Sequence, residues 1–342
     1  MNQVSIQQAE GRRKARTYIV MAVLAVLIII CFVVSMSTGQ VRLTPIDMFK
    51  TLVGLGTAKQ EMILFDFRLP RIVIAVLVGA GLAVSGAILQ GVSRNGLADP
   101  GLMGINAGAG FAVAAYLMVF AKGGGESVLL LPFVALLGAF SAAGLIYLVA
   151  WKNGVTPIRL ILVGIGVGLA FAALMILLSI KMDPHTYLYV EVWLAGSIWG
   201  SNWTYVAVLL PWIFLLLPFA MYKAGSLNIL GLGDQAAAGL GTAVEKERLI
   251  LLCTSVALAG SCVSIGGGIG FIGLVAPHLA RQLVGPRHER MLPATALLGS
   301  LLLLVSDFAA RNLMAPSELP TGIVVAVIGA PYFLYLLARS KA

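Results

Sequence analysis

The sequence predicts an all-α polytopic membrane protein with about ten transmembrane helices. Three observations carry this. The 342 residues are 60% hydrophobic and only 11% charged, whereas a soluble domain carries about 25% charged residues. A soluble chain of this length needs a polar surface, and lipid does not ask for one. Apolar runs close to the ~20 residues that cross a bilayer recur along the whole chain. Lys and Arg gather in short segments between those runs, as they do beside membrane spans. The net charge of +9 therefore reads as a positive-inside bias, not as a nucleic-acid-binding face.

The runs fall at about 18–36, 71–91, 101–120, 128–150, 159–180, 204–222, 248–266, 270–285, 291–311 and 321–338. Arg12, Arg13, Lys14 and Arg16 precede the first. Its length exceeds the apolar region of a signal peptide, so it reads as an uncleaved span behind a cytoplasmic tail, 1–17. The second run opens on Arg68-Leu69-Pro70-Arg71, with Pro70 at a first-turn position where a missing N–H costs nothing. Along it Ala75, Gly79, Ala83, Ala87 and Gly91 recur every four residues, a spacing that lets helix backbones approach closely. Gly164 and Gly168 repeat the pattern in the fifth run. Segment 185–203 carries Tyr187, Tyr189, Trp193, Trp199 and Trp203 and predicts a short interfacial helix. The loop 223–247 predicts another, from Asp234 to Leu240, with an acid in its first turn and Gly241 at its end. Gly266, Gly267, Gly268, Gly270 and Gly273 interrupt the seventh and eighth runs. Basic residues number 15 on the segments assigned inside and 8 on those assigned outside, which places both termini in the cytoplasm. The chain reads as a single transmembrane domain, 1–342.

Chemistry is sparse. No Gly-Lys dipeptide occurs, so there is no phosphate-binding loop of the Walker kind. Gly268 to Gly273 match G-x-G-x-x-G, but membrane spans flank them. That reads as a helix break, not a dinucleotide site. Cys31, Cys253 and Cys262, and His185, His278 and His288, are scattered; no metal site, cofactor or catalytic set is expected. Asp307 lies inside a span with Arg311 four residues on, the same helical face. It is either half of a structural pair or part of a pathway. Arg68 and Arg71 fall on the outer side against the charge bias. They either anchor in headgroups or face a partner. Loop 223–247 is longer than most helix connectors. Its short helix either joins two spans or fits a groove on another protein.

Four stretches together resemble the FecCD-type permease family of bacterial ABC importers, which includes the cobalamin-importer permease. They are Arg68 to Gln90, Asn95 to Gly104, Leu227 to Gly241, and Gly270 to His278 with Glu318-Leu319-Pro320-Thr321-Gly322. The resemblance implies ten helices per subunit and a second permease subunit, identical or related. It also implies an ATPase dimer at the cytoplasmic face, an extracytoplasmic substrate-binding protein, and no catalysis by this chain. It implies that Arg68, Arg71 and Arg311 dock the binding protein. It places Leu227, Gly233, Asp234, Gln235, Ala236, Ala237, Ala238, Gly239, Leu240 and Gly241 at the ATPase. It puts a cytoplasmic gate at Thr156 and Pro157, where the cobalamin permease has small hydroxyl residues instead. The expected cargo is a metal chelate: a ferric siderophore, with haem or cobalamin as alternatives. A secondary transporter is the rival mechanism, but mid-span acids are nearly absent. An intramembrane enzyme would need a dyad or metal set that the spans lack.

Overall fold

The computed structural model describes residues 3–39, 43–101, 103–120, 127–152, 154–315 and 317–339. Arg42, Lys122 and Lys341, counted in the charge bias, lie outside them. Every regular element among the described residues is helical. In chain order they are α1 (Gln3–Ser37), α2 (Pro45–Leu52), α3 (Ala58–Glu61), a π-helical turn (Met62–Arg68), α4 (Leu69–Ser93), α5 (Ile105–Phe120), α6 (Ser127–Ala150), α7 (Pro157–Ser179) and α8 (Pro184–Leu194). Then follow α9 (Trp203–Tyr222), α10 (Ala224–Gly231), α11 (Asp234–Gly239), α12 (Val244–Gly266), α13 (Ile272–Val284), α14 (His288–Asn312) and α15 (Thr321–Arg339).

All ten predicted runs hold a helix, but length and apolar composition give seven candidate crossings among the described residues. Helices Ile105–Phe120 and Thr321–Tyr335 are shorter apolar helices, and α13 has 13 residues. At 1.5 Å per residue, α13 rises about 20 Å, short of the ~30 Å hydrocarbon core. The cause is backbone interruption: turns at 100–101 and 103–104 delay α5, and the glycine-rich break at 267–271 separates α12 from α13.

Helix α4 occupies the centre and is buried along nearly its whole length. It packs against α14, α12, α13 and α9. Its row of small residues makes this possible. A Cβ on Gly79 would collide with the Gly299 carbonyl of α14, and one on Gly299 would meet Gly79 and Ala83. Ala75 and Ala87 are fully buried, and Gly91 faces Leu227 and His288. On another face, a Cβ on Gly86 would fall inside the Gly273 backbone of α13. Ser85 and Ser255 each donate to the other's carbonyl, at 2.7 and 2.9 Å, joining α4 to α12. Because the Gly86 contact is backbone against backbone, Gly86→Ala cannot be relieved by a rotamer change. We expect it to lower thermal stability in detergent by about 1–3 kcal/mol, the usual cost of overpacking. Gly166→Ala, where a Cβ meets nothing within 4 Å, should leave the melting temperature unchanged.

Helix α8 fulfils the short-helix expectation for 185–203. Asp183 caps it, accepting from the His185 and Thr186 N–H groups. Hydrogen bonds from Thr186, side chain and backbone, hold the Asp183 carboxyl below its ordinary range. The chain after α8 lies across the glycine-rich break. Ser197 N–H donates to Gly266 O at 2.9 Å, Gly268 N–H to Trp193 O at 3.2 Å, and Gly322 N–H to Gly196 O at 2.8 Å. Non-helical backbone among membrane helices is thus paired with the ends of α8, α12 and α15.

Candidate functional site

Two polar clusters lie at opposite ends of the central pair, α4 and α14. Both helices have 25 residues, so the clusters stand about 37 Å apart along the helix axis.

The first cluster gathers all three docking candidates. The π-helical turn delivers Arg68, the start of α4 delivers Arg71, and the end of α14 delivers Arg311. With Glu318, Phe67 and Trp199 they line an open cavity of about 520 Å³. Asp307 is fully buried at its base. Arg71 donates to Asp307 Oδ1 from Nε at 2.9 Å, and its Nη2 lies 2.8 Å from the same oxygen. Arg71 Nη1 donates to Glu318 Oε2 at 2.7 Å. Arg311 Nε lies 3.1 Å from Asp307 Oδ2, and its Nη2 reaches the Ser35 hydroxyl of α1. Arg68 donates to the Met36 carbonyl. The expected Asp307–Arg311 pair is present, but the closer partner of Asp307 is Arg71. Two of the three arginines, Arg71 and Arg311, are therefore partly neutralised from within, and Glu318 is the more open carboxylate, with a side chain 27% exposed.

The second cluster surrounds α11. Gly233 precedes it with φ +105° and Gly241 follows it with φ +80°, positions that suit glycine. Asp234 opens the helix, as the sequence predicts. Arg94, past the end of α4, donates to Asp234 Oδ1 at 2.8 Å. Arg248 of α12 donates to both Asp234 oxygens, at 2.8 and 2.9 Å. Of the residues assigned to the ATPase, Gln235, Ala236, Ala238, Gly239, Leu240 and Gly241 are exposed, while Gly233 is half-buried. Leu227 and Ala237 are fully buried and face the chain itself. Helix α10 holds Leu227, and Asn228 ties α10 to α14: it donates to Glu289 at 2.7 Å and accepts from the His288 N–H at 3.0 Å. Beside it a cavity of about 730 Å³ is lined by Arg94, Arg281, Arg287 and Arg290.

Thr156, a gate candidate, is exposed and caps α7 without a side-chain hydrogen bond. Pro157 opens α7 by its backbone; its side chain lies outside the described residues. The preceding residue, Val155, is held by α12: Arg248 Nη1 donates to its carbonyl at 2.9 Å, and its N–H donates to Glu245 at 3.4 Å. No spacing or motif marks Arg248, Glu245 or Arg94 as members of this site. Each looked like an ordinary inner charge, and the only available signal was an acid at the start of α11 that needed a cation.

A chain of membrane-length helices around a buried axis, with ion-pair clusters at both ends, is a multi-pass membrane permease. It belongs to the FecCD transport family, whose model matches residues 27–339. It is 54% identical over 327 residues to the iron(3+)-hydroxamate import system permease protein FhuG of Bacillus subtilis (strain 168), covering 94% of this chain and 97% of that one. It is 40% identical over 281 residues to the Fe(3+) dicitrate transport system permease protein FecD of Escherichia coli (strain K12), covering 82% and 86%. Among solved structures it resembles a metal-chelate type ABC transporter in an inward-facing conformation. The TM-score is 0.82 at 31% identity, covering 93% of this chain and 98% of that one.

Proposed function

We propose that this chain is the permease subunit of a bacterial ABC importer that carries a ferric siderophore of the hydroxamate class. The observation that carries this is the 54% identity, along nearly the full length of both chains, to a hydroxamate import permease. A siderophore arrives with its iron already chelated, so the pathway needs shape and not metal ligands. The end bearing Arg68, Arg71 and Arg311 faces outward and receives the binding protein. The exposed residues of α11 enter the ATPase. Helix α7 exposes an apolar face along its length, with Ile158, Leu162 and Leu169 each at least 65% exposed; a second permease subunit covers it. The ten helical runs cross the membrane with both termini in the cytoplasm.

Growth tests this reading. Cells deleted for the chain should fail to grow when a ferric hydroxamate is the sole iron source, and regain growth when it is restored. Growth on ferric citrate or haem should not change. Unimpaired growth of the deletion strain on every ferric hydroxamate would oppose the assignment.

A further inference from the structure

We propose that Arg248 is a positioning residue that links the ATPase-facing helix α11 mechanically to the start of α7. The inference rests on the reading of α11 as the ATPase contact.

The Arg248 side chain is 4% exposed, and its guanidinium joins three segments. One nitrogen grips both oxygens of Asp234 at the start of α11. The other donates to the Val155 carbonyl at 2.9 Å and to Glu245 at 2.5 Å. Glu245 in turn accepts from the Val155 N–H at 3.4 Å. The backbone of Val155 is therefore held from its N–H and from its carbonyl by neighbours in one turn of α12. Thr156 and Pro157 follow at once. Arg159 closes the same turn from within α7, donating to the Ala150 carbonyl at 3.2 Å.

Consider what moves when a partner pushes α11. Gly233 and Gly241 bracket the helix with positive φ, so its covalent ends are glycines, the residues with the widest backbone freedom. The stiff attachments are the two arginines on Asp234. Arg94 leads back to α4, the buried centre of the fold. Arg248 leads to Val155. A planar guanidinium donating from two nitrogens fixes direction as well as distance; its burial shields the bond to Val155, while the Asp234 side chain at the other end stays 46% exposed. A shift of α11 thus reaches the first turn of α7 through one side chain.

The test uses the whole importer, permease with ATPase and binding protein, in proteoliposomes. Arg248→Lys keeps a charge near Asp234, but an ammonium cannot present the planar fork to Asp234 and Val155 together. Asp234→Asn is the milder second variant, and Lys152→Ala the control. The readout is ferric hydroxamate taken up per ATP hydrolysed. Arg248→Lys should lower this ratio about tenfold, a typical size for coupling between two sites, with the ATPase still bound. Asp234→Asn should lower it less. Spin labels at exposed Gln235 and Thr156 should move together on ATP addition in the wild type, and the Thr156 movement should vanish in Arg248→Lys. A purely structural Arg248 would reduce yield and melting temperature yet leave the ratio and the Thr156 movement intact, which would overturn the link. Loss of assembly in both variants would overturn it too. Gly239→Trp separates the two readings. If Gly239→Trp releases the ATPase while Arg248→Lys keeps the wild-type ratio, only the link is wrong. If Gly239→Trp keeps ATPase and uptake, the reading of α11 is wrong and the link falls with it.

Discussion

Gly239→Trp should release the ATPase from the purified permease and abolish ATP-driven uptake, while the permease itself folds and reaches the membrane normally. Gly239 is exposed at the last turn of α11, and a Cβ there meets nothing within 4 Å. An indole at this position therefore has room in the isolated chain, and any damage arises where a partner packs on the helix. Packed interfaces tolerate added volume poorly. Ala237→Trp is a different experiment, although it lies two residues away. Ala237 is fully buried against its own chain, so an indole there must displace the core and should lower folded yield. Association after size-exclusion chromatography, measured with melting temperature, distinguishes the outcomes. Wild-type association and uptake in Gly239→Trp, and in bulky variants at Ala236 and Ala238, would remove α11 from the ATPase interface.

Arg71→Glu should cost the protein most of its stability. The change sets a third carboxylate against Asp307 and Glu318 and removes the closest counter-ion of a fully buried Asp307. Breaking one side of a buried ion pair costs about 3–5 kcal/mol, so folded yield should collapse before any docking assay is possible. Glu318→Gln is the informative variant for docking. Its side chain is 27% exposed and touches Arg71 only through Nη1, at 2.7 Å. Neutralising it leaves that guanidinium edge to a carboxylate of the binding protein. Association should tighten at low salt, and the gain should fade as salt rises, because the screening length is about 8 Å at physiological ionic strength. Unchanged or weaker association at low salt would favour a purely structural role for the cluster.

Much of this was legible in the sequence because it is local. The aromatic segment 185–203 marks one short helix, Asp234 starts another by first-turn charge, and Gly241 ends it. The four-residue row from Ala75 to Gly91 announced close packing, and the glycines at 266–273 announced a break. What was hidden is tertiary. Arg71 and Asp307 lie 236 positions apart, and Arg94 and Asp234 lie 140 apart; no spacing rule joins them. Asp307 and Arg311, four apart on one helix, were visible, and the nearer partner was not. Helix α10 was missed because Gly225 and Gly231 gave it the look of a loop. The inward turn of Ala237 was unreadable because Ala236, Ala237 and Ala238 are identical and supply no amphipathic pattern. The shortness of α13 was partly visible, since the eighth run is itself short and begins among the glycines.

The measurement that bears most directly on function is uptake of a radioactive ferric hydroxamate into proteoliposomes containing this permease, its ATPase and its binding protein. An ABC importer should show accumulation that requires ATP and the binding protein, persists when the proton gradient is collapsed, and is lost with Gly239→Trp. Accumulation driven by a proton gradient without ATP would contradict it and identify a secondary transporter.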